Sequence, residues 1–233
     1  MKVPLLEKII DQFVQAQSVP HADAWHYPHA MVGHFQDHWG EIHMATLRQM
    51  YDDALRSQIT QRWWKREGYR PKEIMMTLME ADTELATIAW KDLSNDAAAL
   101  DGRLSRFDYY CRQLLEIYRK GHPLYTETFH HQDASIISLY LAGMQPEKYA
   151  LYPGLDIFSA FCKAVGSPDI PVIDDLVRYA KITNIVYTYL QRNSGFQKVL
   201  DLRQAAHHKV KCLPYQCTYE VMHSVSPQFE TRP

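Results

Sequence analysis

Between Gln132 and Gly166 the chain reads QDASIISLYLAGMQPEKYALYPGLDIFSAFCKAVG, and few folds accommodate that run. Ile136, Ile137, Tyr140 and Leu141 recur at helical spacing and make one apolar face. Asp133 stands where a carboxylate can accept a hydrogen bond from an orphan N–H at a helix start. Gly143 allows the left-handed backbone that closes a helix, and Pro146 blocks its resumption. A second helix follows, with Ile157, Phe158, Phe161, Cys162 and Val165 on one face, ended by Gly166 and Pro168. Two apolar faces need burial, so the pair is expected at the centre of an all-helical domain.

The rest of the chain fits that class. Periodicity predicts helices over 4–17 (Leu6, Ile9, Ile10, Phe13), 31–39 (Val32, Phe35, Trp39) and 46–57 (Leu47, Met50, Tyr51, Ala54, Leu55). Further helices are expected over 72–79, 83–93, 96–120, 171–190 and 194–206. In the longest, Leu100, Leu104, Phe107, Cys111, Leu114 and Tyr118 alternate four and three apart, as a buried seam requires. No long alternating apolar and polar run appears. The expectation is a mainly α, single multi-helix domain of about nine or ten helices over residues 1–206. Residues 207–233 read as an irregular tail, with a short strand sketched at Gln216 to Met222. A boundary within 119–133 would leave both sides small.

Charge and composition exclude some functions. The 233 residues carry a net charge of -2, which argues against a whole-surface attraction to nucleic acid and leaves room only for a local basic patch. No stretch approaches the roughly 20 apolar residues of a membrane span, and no signal peptide is recognisable, so a cytoplasmic location is expected. In that reducing setting the four cysteines are expected as free thiols.

Several segments together resemble a known family. They are HFQDHWGEIHMATLRQMYDDAL, GYRPKEIMMTLMEADTELATIAWKDL, LDGRLSRFDYYCRQLL and the ISLYL, PEKYALY and FSAFCKAVG runs of the central pair. This pattern, over roughly 31–190, is similar to the N-terminal, non-motor region of McrB-type restriction proteins. Those are AAA+ GTPases that cut modified DNA with a nuclease partner. The resemblance implies a recognition or adaptor domain in phage defence. Its implied partners are DNA, modified or plain, an AAA+ GTPase module and a nuclease subunit. The chain has no G-x-x-x-x-G-K-[ST] phosphate loop and no G-x-G-x-x-G, so the likeness stops short of the motor and no catalytic residue is assigned.

The motif with most chemistry is QRWWKREGYRPK, read as a connection between helices through Gly68 and Pro71. Arg62, Trp63, Trp64, Lys65, Arg66, Tyr69, Arg70 and Lys72 are the candidate nucleic-acid contacts. Cations neutralise phosphates, and aromatic rings stack on exposed or flipped bases. Two histidine groups invite a metal reading. His34 and His38 stand one turn apart but lack the Glu that a zinc-protease pattern needs. His207, His208, Cys212, Cys217 and His223 have zinc-compatible chemistry at an unusual C-x₄-C spacing. Neither set is assigned a metal, and no cofactor is expected. The acid pairs Asp52–Asp53 and Asp174–Asp175 read as solvated faces or helix N-termini. The competing functions are a protein-only interaction module and a small metal-dependent enzyme built on the histidines.

Overall fold

The computed structural model describes residues 1–17, 26–206 and 210–225. Among them it holds twelve α-helices and no strand, so the fold is mainly helical as expected, with more helices than the nine or ten counted from the sequence. The chain forms two compact units. One comprises residues 1–33 and 145–233, and the other, inserted between them, comprises 34–144. The boundaries therefore fall outside 119–133.

The discontinuous unit begins with α1 (Val3–Gln17), which buries Leu6, Ile9, Ile10, Phe13 and Val14 along one stripe. Helix α2 (His26–His38) carries the chain across the boundary at Gly33. After the inserted unit comes α9 (Leu155–Ala164), with Phe158, Phe161 and Cys162 buried. Gly166 takes φ 61° and ends α9 in a Schellman motif: its N–H donates to the Lys163 carbonyl (3.0 Å) and Ser167 N–H to the Cys162 carbonyl (2.8 Å). The Asp175 carboxylate caps α10 (Leu176–Arg192) by accepting from Arg178 N–H at 2.8 Å. Helix α11 (Phe196–Ala206) follows, and a 3₁₀ turn at Pro214–Gln216 leads into α12 (Cys217–Ser224).

The strand sketched at 216–222 is thus a correction: these residues are helical. Helix α12 packs on α1, α9 and α10, with Cys217, Val221 and Met222 fully buried. It also buries Thr218 and Glu220, which interrupts the apolar stripe that would have announced a helix.

The inserted unit contains α3 (Leu47–Ala54), α4 (Gln58–Trp64), α5 (Pro71–Ala81), α6 (Thr83–Ser94), α7 (Leu100–Gly121) and α8 (Ala134–Met144). Helix α4 takes in residues 61–64, which the sequence assigns to a connection between helices. It starts where Ser57 Oγ accepts from Thr60 N–H (3.1 Å) and is held by the buried Trp64. Helices α5, α6 and α7 pack on one another, α3 on α5, and α8 on α4 and α6. Their shared core is aromatic. Trp90 lies 4.7 Å from Tyr140, 4.9 Å from Trp39 and 5.5 Å from Phe107, centroid to centroid. Tyr51 and Tyr140 join hydroxyls at 2.7 Å, and the Tyr140 hydroxyl donates to Gln132 Oε1 at 2.6 Å. The buried Arg103 guanidinium donates from Nε to the Leu93 carbonyl (2.8 Å), which satisfies an orphan acceptor at the end of α6.

Two expectations for the central pair change. Its helices, α8 and α9, belong to different units and each contributes to its own core. Gly143 has no left-handed backbone; it lies within α8, where a Cβ would sit 2.1 Å from Phe35 Cδ1. Close approach of the Phe35 ring, not capping, is what requires glycine there. Asp133 does cap α8, accepting from Ser135 N–H (2.9 Å) and Ile136 N–H (3.2 Å).

Candidate nucleic-acid interface

Of the basic–aromatic run, Tyr69 lines a cleft in the inserted unit together with Gly68, while Trp64, Lys65 and Lys72 line a separate, smaller pocket. Arg62, Trp63 and Trp64 end α4, and residues 66–69 then make a tight turn closed by Tyr69 N–H to the Arg66 carbonyl (3.1 Å). Gly68 takes φ 69°, a conformation that L side chains resist. Pro71 opens α5 at a position where its missing N–H costs nothing.

The structure divides the eight sequence candidates. Trp64 is in the core, and Trp63 donates from Nε1 to the Ser135 carbonyl at 3.0 Å. Lys72 is mostly buried and binds the Asp52 carboxylate at 2.8 Å. Tyr69 is half-buried, its ring stacked on His131 (5.8 Å between centroids), with the Arg66 guanidinium carbon over the Tyr69 ring 4.2 Å from its centroid. Burial and the neighbouring Asp133 carboxylate push the Tyr69 hydroxyl far above its ordinary pKa. Arg66 pairs with Asp133 at 2.8 Å. Arg62, Lys65 and Arg70 are exposed and make no ion pair among the described residues. The run thus supplies four exposed cations, one of them already paired, while Trp64 and Lys72 serve the fold.

The cleft measures about 790 Å³. Gly68 and Tyr69 form one side, Glu127 to Asp133 another, and Asp108 and Arg112 of α7 a third. Its size is that of a small-ligand site. Sequence reading missed the 127–133 wall, although FHHQD carries a ring, two imidazoles and a carboxylate in five residues. His131 sits at φ 55°, uncommon for a residue with a side chain.

Hydrogen bonds fix both imidazoles. His130 Nδ1 accepts from Gln132 N–H (3.3 Å), so its proton is on Nε2, 2.8 Å from Asp108 Oδ1. His131 Nδ1 accepts from Arg70 N–H (3.1 Å), which directs its Nε2 proton to Glu127 Oε2 at 3.3 Å. Each lone pair is committed to the backbone, so neither ring is placed to take a proton from a substrate. Burial raises the Asp108 pKa, but hydrogen bonds from Arg112 and His130 outweigh it and hold the carboxyl below its usual value. Within the cleft, Asp108, Glu127 and Asp133 are acceptors, Arg112 is an exposed donor, and the Phe129 ring is 70% exposed.

The histidine expectations resolve differently. His38 Nδ1 bonds to the His34 carbonyl (2.9 Å) and His34 Nε2 to the Asp53 carbonyl (3.3 Å), so both rings donate to backbone. His207 and His208 lie outside the described residues. Among the described residues, one group of three has metal-ligand spacing: His29, Cys212 and Cys217 in the discontinuous unit. It joins His29 of α2, which is neither His34 nor His38, to two cysteines of the C-terminal set.

No helix among the described residues is long and apolar enough to cross a membrane. Comparisons of the chain with protein-family models, with curated proteins and with solved structures return no match, and the reading of this cleft rests on its own residues.

Proposed function

We propose that this chain is a non-catalytic nucleic-acid recognition module, in which the cleft receives an unpaired or flipped base and the adjoining basic turn holds its phosphates. The observation that carries the reading is the joining, in one cleft, of an exposed Phe129 ring with acceptors at Asp108 and Glu127 beside the turn bearing Arg66 and Arg70. Carboxylates accept hydrogen bonds from the exocyclic amino group of cytosine, and a free ring offers a stacking surface. Arg62, Lys65 and Arg70 would contact phosphate oxygens, which positions a strand without reading it. The committed lone pairs of His130 and His131 favour binding over catalysis. The sequence resemblance adds to this proposal an AAA+ GTPase module and a nuclease as partners, with modified DNA as the target.

The test is binding to single-stranded and duplex oligonucleotides, plain or carrying modified cytosine, across a range of salt concentrations. Arg62→Ala with Arg70→Ala should flatten the log–log salt slope by roughly two for duplex. Phe129→Ala should cost about 1–3 kcal/mol if it stacks on a base. Absence of any salt-sensitive binding by the wild-type chain would refute the reading. A protein-only module would then take its place, for which the exposed Leu124 (95%) and Phe129 (70%) supply apolar contacts.

A further inference from the structure

The discontinuous unit places two thiols side by side. Cys212 precedes the 3₁₀ turn and Cys217 opens α12, so the turn between them brings one sulfur against the other. The two Sγ atoms lie within 4.8 Å of each other, and His29 of α2 completes the group. Both ring nitrogens of His29 are committed: Leu213 N–H donates to Nδ1 (2.8 Å), and Nε2 bonds Glu220 Oε1 (2.8 Å). The imidazole has no lone pair left, and the reactive chemistry of the group is that of its sulfurs. A disulfide holds its sulfurs about 2 Å apart, so a rotamer change at one cysteine has to close the gap.

The two thiols are unlike. Cys212 is half-buried, whereas Cys217 is completely buried. Arg203 of α11 stands over the deeper one, with Nη1 3.4 Å from Cys217 Sγ. Glu220 anchors that guanidinium, at 3.0 Å from Nη1 to Oε1 and 2.7 Å from Nη2 to Oε2. A hydrogen bond from the Cys217 thiol, helped by the charges of His29 and Arg203, pulls the Cys212 thiol down to about 7 against burial and the Glu220 carboxylate. The same hydrogen bond, together with burial, pushes the Cys217 thiol up. A reachable sulfur that ionises easily, beside a buried one that holds its proton, divides the work of a dithiol into attack and resolution.

We propose that Cys212 and Cys217 form a thiol–disulfide exchange site for low-molecular-weight disulfides, with Cys212 as the attacking sulfur and Cys217 as the resolving one. The Cys212 thiolate attacks one sulfur of a small disulfide RS–SR. A Cys212–SR bond forms, the S–S bond of the small molecule breaks, and the first RS⁻ leaves. Cys212 is then uncharged and no longer holds the Cys217 proton, which passes to the departing thiolate. Arg203 Nη1 is placed to stabilise the Cys217 thiolate that this leaves. Cys217 Sγ attacks Cys212 Sγ, forms the protein disulfide and expels the second RS⁻, which takes a proton from water. The protein pair gives up two electrons, and one small disulfide becomes two thiols. In a reducing compartment an excess of small thiol runs the same steps backward, so the resting pair is the dithiol.

The experiment uses the full chain, reduced and then freed of reductant, under native conditions with oxidised glutathione as the probe. Samples are quenched with acid at intervals, alkylated and mapped by peptide mass spectrometry, with circular dichroism followed in parallel. The wild-type chain should accumulate a Cys212–Cys217 bridge within one chain, pass through a transient glutathione adduct on Cys212, and keep its helical signal. Dithiothreitol should restore both thiols. Cys111 and Cys162, buried in α7 and α9 with thiols that burial pushes up, should stay unmodified and serve as internal controls. Cys217→Ser should stop at a lasting Cys212 adduct, and Cys212→Ser should react at least about 10-fold more slowly than the parent. If either variant fails to fold, the wild-type peptide map decides alone. A wild-type chain that ends as a lasting Cys212 adduct, or that forms the bridge only in denaturant, would overturn the proposal. So would bridges found only between chains.

Discussion

Gly143→Ala separates local propensity from packing, because the two predict opposite signs. Position 143 lies inside α8 with an ordinary helical backbone. On propensity alone, replacing glycine there with alanine should stabilise the helix by about 1 kcal/mol. The added Cβ, however, would stand 2.1, 2.5 and 2.7 Å from Phe35 Cδ1, Cγ and Cε1. Carbon atoms settle at about 3.5–4.0 Å, so the ring must retreat by more than an ångström. Phe35 is fully buried and has nowhere open to go: Trp39 stacks on it at 4.9 Å and Tyr140 lies at 6.4 Å. Overpacking a filled core costs about 1–3 kcal/mol, and an overlap this deep belongs at the upper end. Subtracting the propensity gain leaves a net loss of about 2 kcal/mol. The assay is equilibrium denaturation of the wild type, Gly143→Ala, Phe35→Leu and the double variant. Phe35→Leu should be destabilising alone yet recover part of the Gly143→Ala loss, giving a coupling energy of about 1 kcal/mol. A neutral or stabilising Gly143→Ala would show that Phe35 is not packed on α8.

Phe161→Ala in α9 should cost about 3–5 kcal/mol, since it removes a fully buried ring and leaves a cavity, and a denaturant melt with a loss below about 1 kcal/mol would contradict its burial. Lys72→Met should lower stability at neutral pH by about 1 kcal/mol by removing the partner of Asp52, with both groups largely shielded from water. Hydrogen bonds from Lys72 and Arg56 depress the Asp52 carboxyl below 3.8, so its contribution is complete above that value and is lost as pH falls through the lower folded value. The difference between wild type and Lys72→Met, followed by thermal melts, should therefore be constant near neutrality and shrink below about pH 4; a gap that widens in acid would reverse the sign.

What the sequence determined was local. The stripes of α1 and α7 run at helical period because each buries one face, and that periodicity is written in the order of residues alone. Asp133 and Gly166 were legible as helix punctuation because a cap bonds to N–H or carbonyl groups only a few residues away. The basic turn was legible as composition. Tertiary structure decided what could not be read along the chain. Gly143 looks like a terminator in sequence, but its role comes from a ring 108 positions earlier that presses against it. Trp64 and Lys72 belong to a binding run by composition, and burial and Asp52 claim them for the fold. Helix α12 hid its character because Thr218 and Glu220 are buried alongside Val221 and Met222. The cleft walls at 68–69, 108–112 and 127–133, and the meeting of His29 with Cys212 and Cys217, depend on distances between helices. Residue spacing encodes periodicity within one element, whereas the approach of two elements is fixed by how their side chains fill space together.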